Sequence, residues 1–149
     1  MASLVDVEEI TPEQMDILEK SEKSKNTTYE GRIMYCKIVY CYDGDTVYGK
    51  FFDNGQLVQQ SLRIYGYDSP EIKPRKDIPD REAHIARAKA AKEELEKLIL
   101  NKIVIISCLK NDKYGRILVN IKTIDTGIDI GTHMIENSHG YAYFGGKKN

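Results

Sequence analysis

A stretch at residues 63–71 reads R-I-Y-G-Y-D-S-P-E and places one guanidinium, Arg63, and two carboxylates, Asp68 and Glu71, close together. Pro70 holds the preceding residue, Ser69, in an extended conformation, so no helix can start there and the carbonyl group of Ser69 turns outward. Oxygen ligands suit a hard cation, and a planar guanidinium suits a phosphate. The stretch therefore predicts a cation site next to a phosphate site.

Two further patches carry similar chemistry. Residues 43–46 read D-G-D-T, and residues 112–116 read D-K-Y-G-R. Each patch alone is also typical of an ordinary turn or hairpin tip. Together with residues 63–71 they supply metal-type aspartates, a glutamate and two arginines at the ends of successive predicted strands. Such a combination indicates a functional site.

The elements that position these patches begin with a β-meander. Residues 33–42, 47–52 and 56–65 alternate apolar and polar side chains and are rich in aromatic and β-branched types, which is typical of strands. The D-G-D-T patch interrupts the first pair, and D-N-G at residues 53–55 is a strong hairpin turn. Three antiparallel strands should therefore lead directly into the stretch at residues 63–71.

A helix and two more strands complete the predicted domain. Residues 81–100 place apolar side chains at helical spacing and predict a helix that Asp80 caps and Asn101 ends. His84 is expected to be a partly buried structural histidine. The pattern predicts strands at residues 103–109 and 114–124 and a short helix at residues 130–137. This order predicts an α+β, mainly β, fold: a five-stranded OB-fold barrel with two or three attached helices. The predicted buried stripe of the long helix is Ala88, Ala91, Leu95, Leu98 and Ile99.

Charge divides the chain into two parts. Residues 1–30 carry eight acidic and three basic side chains, a net charge of −5, and the remainder carries +4. We expect residues 1–30 to be an acidic extension, either a short helix starting at Thr11 and Pro12 or flexible, and residues 31–149 to be the barrel domain.

The sequence predicts an intracellular protein without a signal peptide or a membrane span. Its three cysteines lie on apolar strand-like runs, and their odd number indicates reduced, buried thiols.

The three motifs together closely resemble those of the staphylococcal nuclease (thermonuclease) family, over residues of about 33 to 142. The resemblance implies an OB-fold barrel with attached helices. It also implies calcium-dependent hydrolysis of DNA and RNA, with 3′-phosphate ends as typical products.

The resemblance assigns the metal and phosphate ligands position by position. Asp45 and Asp68 match the calcium carboxylates. Ser69 occupies a position at which the family usually has threonine, and its backbone carbonyl completes the set of protein ligands. Arg63 and Arg116 match the two phosphate-binding arginines.

The remaining assignments concern the attacking water and the nucleotide pocket. Glu71 matches the glutamate that holds the attacking water and is the candidate to deprotonate it. Asp43 matches an outer-sphere carboxylate near the metal. Lys113 and Tyr114 match residues lining the nucleotide pocket. Tyr143 is a candidate for a second pocket tyrosine.

Two other readings remain open. The chain could be a non-catalytic OB-fold module that binds nucleic acid, although such modules lack the acidic and arginine residues present here. It could also be an interaction domain whose acidic extension binds a partner or covers the cleft. DNA or RNA is the expected partner, a membrane is not, and protein partners are left open.

Overall fold

The computed structural model describes residues 6–71 and 74–144. Five strands close into a barrel, and two short strands form a separate antiparallel pair. The barrel strands are β1 (Ile33–Cys41), β2 (Thr46–Asp53), β3 (Gln56–Ile64), β5 (Ile103–Asn111) and β6 (Ile117–Thr123); the short pair is β4 (Gly66–Asp68) and β7 (Tyr141–Tyr143). Three helices accompany them: α1 (Pro12–Lys20), α2 (Arg81–Ile99) and α3 (Ile130–Glu136).

The barrel order is β1-β2-β3-β6-β5, closed by pairing of β5 with β1. The predicted meander of β1, β2 and β3 is present, and β3 pairs with β6 in parallel. A closed five-stranded barrel with three helices confirms the predicted OB-fold α+β class. The pair β4–β7 was not predicted, because a strand of three residues is too short for alternation to be recognised.

The core fills the barrel with the inward-facing side chains of every strand. Val47 and Phe51 of β2 and Leu62 and Ile64 of β3 are essentially inaccessible to solvent. Cys36, Cys41 and Cys108 are free and buried, as predicted. Burial raises the pKa of Cys36 to about 12, with a further rise from Cys108, so the Cys36 thiol stays protonated at neutral pH.

The long helix α2 packs its small apolar residues onto the barrel, with Ala88, Ala91, Leu95 and Ile99 buried and Leu98 partly buried. The small alanine side chains allow the helix to approach the barrel closely.

The prediction that the side chain of Asp80 caps α2 is wrong. Asp80 stands at the N-cap position but has a left-handed backbone (φ 52°), and its side chain makes no capping hydrogen bond. Asn101 follows the end of α2 with φ 61°, a conformation that asparagine tolerates and that stops a helix.

Helix α1 starts where the sequence predicted, with the Thr11 side chain and the Gln14 side chain each accepting a bond from the other's backbone N–H. None of its residues is buried. Residues 1–5 of the predicted acidic extension and residues 72, 73 and 145–149 of the predicted barrel domain lie outside the described residues. In the described part of the chain, no helix combines the length and the apolar character that a membrane crossing requires.

Candidate active site

The D-G-D-T loop between β1 and β2 is held by its own first aspartate. Oδ1 of Asp43 accepts hydrogen bonds from the backbone N–H groups of Asp45 (3.0 Å) and Thr46 (2.9 Å). Gly44 lets the loop sit tightly, since an added Cβ would lie 2.8 Å from the Cβ of Ala91 and 2.9 Å from the side chain of Ser69. At Gly44 the loop therefore packs directly against α2 and against the turn after β4.

Arg63 lies buried at the end of β3 and binds both predicted metal carboxylates. Its Nη2 donates to Oδ1 of Asp68 at 2.7 Å and lies 3.4 Å from Oδ2 of Asp45. Its Nη1 donates to the carbonyl oxygens of Ile64 (2.7 Å) and Tyr67 (2.8 Å). One guanidinium therefore fixes both carboxylates and the turn that leads into β4.

The turn after β4 is tied to the same cluster, because the backbone N–H of Ser69 donates to Oδ2 of Asp45 at 3.0 Å. Asp45, Asp68 and Ser69 are all buried, with relative exposures of 6%, 3% and 5%. The three residues predicted as metal ligands therefore come from the D-G-D-T loop, from the last residue of β4 and from the turn after it, and they lie close together.

Strand β7 brings a tyrosine onto this cluster. The hydroxyl of Tyr141 donates to Oδ2 of Asp68 at 3.2 Å. The preceding residue, Gly140, packs so closely that an added Cβ would clash with the carbonyl oxygen of Asp68 and the ring of Tyr67. Tyr141 was not predicted as a site residue; Tyr143, which was, is partly buried and pairs with Gly66.

The hairpin between β5 and β6 is organised by Asp112. Its Oδ1 accepts from the backbone N–H groups of Tyr114 and Arg116, both at 2.9 Å, and its Oδ2 accepts from Nε of Arg116 at 2.6 Å. Gly115 has φ +83°, the left-handed conformation that this tight turn requires. The hairpin thereby fixes the direction of the Arg116 side chain.

Thr46 connects the hairpin to the carboxylates. Its hydroxyl donates to Oδ1 of Asp45 at 3.0 Å and accepts from Nη1 of Arg116 at 3.2 Å. Asp45, Asp68, Arg63 and Arg116 thus form one hydrogen-bonded cluster. Thr46 was not predicted as a site residue, although it is the last residue of the D-G-D-T motif.

The hairpin tip presents an aromatic ring next to this cluster. Tyr114 is 72% exposed, Nζ of Lys113 lies 5.1 Å from its ring centroid, and Cζ of Arg116 lies 5.4 Å from it. An exposed ring flanked by two cations can stack on a base while the cations attract phosphates.

Glu71 is exposed at the rim of a cavity of about 540 Å³ beside the carboxylates. The opposite wall comes from α2 and the segment before β7. His84 is partly buried, as predicted, and lines this cavity. The lining residues that carry charge or a titratable group are Asp68, Glu71, His84, Arg87, His139 and Tyr141.

The two aspartates of the D-G-D-T loop have opposite pKa shifts. Burial raises the pKa of Asp43 to about 7, and the negative charge of Asp45 adds to the rise. Burial also disfavours ionisation of Asp45, but the Arg63 guanidinium and the hydrogen bonds that Asp45 accepts outweigh it and lower its pKa. Asp45 is therefore an anion at neutral pH, as a cation ligand must be.

A comparison with protein families gives a match at residues 61–148 to the family described as staphylococcal nuclease homologue. The match covers more than half of the chain and includes Arg63, Asp68, Glu71 and Arg116. The chain belongs to the staphylococcal nuclease homologue family. A search of curated proteins finds no match. Membership indicates a nuclease or a nucleic-acid-binding module. Asp43 and Asp45 precede the matched range, and their place in the cluster rests on the contacts described above.

The donor chemistry of this staphylococcal nuclease homologue fits a hard divalent cation. Within residues 6–71 and 74–144, no group of three or more His, Cys, Asp or Glu side chains is arranged to hold a metal. The protein ligands would be the carboxylates of Asp45 and Asp68 and the carbonyl of Ser69, with water completing the shell. The buried carboxylates of Asp45 and Asp68 share one guanidinium, that of Arg63. A bound cation would balance the negative charge that Arg63 does not neutralise. An all-oxygen ligand set is the kind that hard cations such as calcium and magnesium take.

Proposed function

We propose that this protein is a calcium-dependent endonuclease that hydrolyses phosphodiester bonds of DNA and RNA and leaves 3′-phosphate ends. The observation that carries the proposal is the shared ion-pair cluster, in which Arg63 binds buried Asp45 and Asp68 while Arg116 reaches the same cluster through Thr46. Family membership supports the reaction class.

Arg116 is the residue best placed to bind the scissile phosphate. Its Nε is held by Asp112 and its Nη1 by Thr46, whereas its Nη2 makes no hydrogen bond to the residues that the structure describes. A fixed guanidinium with a free edge can donate to a phosphate oxygen without reorganising. Such a preorganised donor stabilises the extra charge that develops in the five-coordinate transition state.

Arg63 supports the reaction through its charge and its hold on the carboxylates. Both of its terminal nitrogens already contact protein oxygens. It therefore keeps Asp45 ionised and holds both Asp45 and Asp68 in position, and its positive charge also lowers the repulsion between an anionic phosphodiester and an incoming nucleophile.

Glu71 is the proposed general base. Its exposed position at the cavity rim places a carboxylate where a water molecule and a phosphate can both be admitted. It would accept a proton from the attacking water as the water oxygen bonds to phosphorus and the bond from phosphorus to the 5′ oxygen breaks. The 5′ oxygen would take a proton from solvent and leave as a hydroxyl, and the phosphate would stay on the 3′ side. A bound calcium ion would act as a Lewis acid on the phosphate oxygens.

Little sequence preference is expected from this arrangement. Phosphate contacts position a nucleic acid without reading its bases, and stacking on an exposed ring such as Tyr114 tolerates every base. The same contacts exist in DNA and RNA, so both are proposed as substrates.

Digestion of plasmid and single-stranded DNA tests the proposal. We expect cutting with calcium, no cutting with a chelator, and a rate about 10²–10⁴-fold lower for Glu71→Gln, because that change removes the general base. Glu93→Gln, on the exposed side of α2, is the matched control and should cut like the wild type. Cutting that survives the chelator would contradict the calcium requirement. Binding without cutting under every metal would favour the non-catalytic module.

A further inference from the structure

The outer surface of the barrel carries a pair of tyrosines that the site described above does not use. Tyr40 of β1 and Tyr48 of β2 are cross-strand partners whose ring centroids lie 5.2 Å apart, with the rings inclined at 40°. Nζ of Lys92 from α2 lies 5.9 Å from the centroid of the Tyr40 ring. We refer to Tyr40, Tyr48, Lys50 and Lys92 as the tyrosine patch.

Strand alternation places this patch on the face that carries the proposed phosphate ligands. Val47 and Phe51 of β2 point into the core, so Thr46, Tyr48 and Lys50 point outward. Thr46 is the partner of Arg63 in the pairing of β2 with β3. Tyr48 therefore stands one outward position further along the same face.

A β-bulge turns Tyr40 to this face. Cys36 and Ile38 of β1 are buried, and uninterrupted alternation would also place Tyr40 inside. The pairing of β1 with β2 shifts register between Ile38 and Tyr40, and Tyr40 is 46% exposed. Bulges commonly redirect a side chain in this way next to active sites.

The second arginine borders the patch as well. Ile117 of β6 points into the core, so the residue before it, Arg116, emerges on the outer side. Arg116 reaches Thr46, which is two residues from Tyr48 on β2. The tyrosine patch is therefore continuous with the cluster of Arg116, Thr46 and Arg63.

We propose that the tyrosine patch binds unpaired bases of a single-stranded nucleic acid whose phosphate lies at Arg116. The proposal rests on the proposed function and specifies the substrate form. The Tyr40 ring is exposed and the Tyr48 ring is partly exposed. Accessible aromatic rings next to lysines offer stacking to bases and attraction to phosphates. In a duplex the base faces are already stacked on each other, so only an unpaired strand can use the rings of Tyr40 and Tyr48.

Fluorescence anisotropy with a short labelled oligothymidylate, in chelator so that no cleavage occurs, tests the proposal. The Tyr40→Leu/Tyr48→Leu variant should bind about tenfold or more weakly, because two stacking surfaces are lost. The Tyr40→Phe/Tyr48→Phe variant keeps both rings and should bind like the wild type. Phe52→Leu changes an exposed ring on the same face at the far end of β2 and should have no effect.

Several outcomes would overturn the proposal: unchanged affinity of the leucine variant, equal weakening by the phenylalanine variant, or an equal loss for a duplex of the same length. Thermal melting of each variant shows whether it is folded. If the double leucine variant is not folded, the single variants Tyr40→Leu and Tyr48→Leu, which each remove one ring, carry the same test, and wild-type affinity in both would overturn the proposal. Failure of the nuclease proposal would appear separately, as absence of calcium-dependent cleavage of a dinucleotide by the wild-type protein.

Discussion

Arg116→Ala is expected to lower kcat for phosphodiester hydrolysis about 10²–10³-fold while changing the free energy of unfolding by no more than about 1 kcal/mol. The kinetic effect follows because the variant removes the donor best placed to contact the phosphate. The stability effect is small because the ion pair of Arg116 with Asp112 is partly exposed. Asp112 also keeps its two backbone donors, so the hairpin remains organised.

Steady-state kinetics and urea unfolding measure the two quantities on the same preparation. Arg32→Ala is the matched control, because Arg32 also pairs with a carboxylate, Asp53, at 2.9 Å, with 40% of its side chain exposed. This control should keep the wild-type kcat. Equal kcat for Arg116→Ala and the wild type would exclude Arg116 from catalysis.

Arg63→Ala is expected to lower the free energy of unfolding by about 3–5 kcal/mol, because it leaves buried carboxylates without their cation. Asp45 and Asp68 both contact this guanidinium, and its Nη1 also satisfies two backbone carbonyl oxygens. Cleavage should also be lost, since the carboxylates would no longer be held in position.

Urea unfolding with a chelator present measures this loss without a contribution from bound calcium. Arg116→Ala serves as the comparison, since it removes the same type of side chain from the same cluster but from a more exposed position. If both alanine variants unfolded at the same urea concentration, the structural role assigned to Arg63 would be wrong.

The barrel could be predicted from the sequence because each of its strands is long enough for alternation to appear. The register of β1 could not be predicted, because the bulge before Tyr40 cannot be recognised in the alternation of apolar and polar residues. Likewise, Asp80 is a residue type that commonly caps helices, but its left-handed backbone prevents the side chain from doing so.

The family resemblance of the three motifs implied that Asp45, Asp68, Arg63 and Arg116 share one site, and the structure brings these residues together. The difference between the two arginines could not be predicted. Both are arginines at the edge of a motif. Only tertiary packing decides that the Arg63 guanidinium is saturated by protein oxygens, while Nη2 of Arg116 makes no hydrogen bond within the described residues. The contact of Tyr141 with Asp68 was missed for the same reason, because it depends on how β7 pairs with β4.

Calcium binding measured by isothermal titration calorimetry tests the central claim most directly, since it requires no substrate. The wild-type protein should bind one calcium ion, and Asp45→Asn and Asp68→Asn should each weaken binding at least about tenfold, because each removes one of two carboxylate ligands. Asp53→Asn, which changes a carboxylate paired with Arg32 outside the site, should leave binding unchanged. Undiminished calcium affinity in both the Asp45 and the Asp68 variants would contradict the claim that these residues hold the ion.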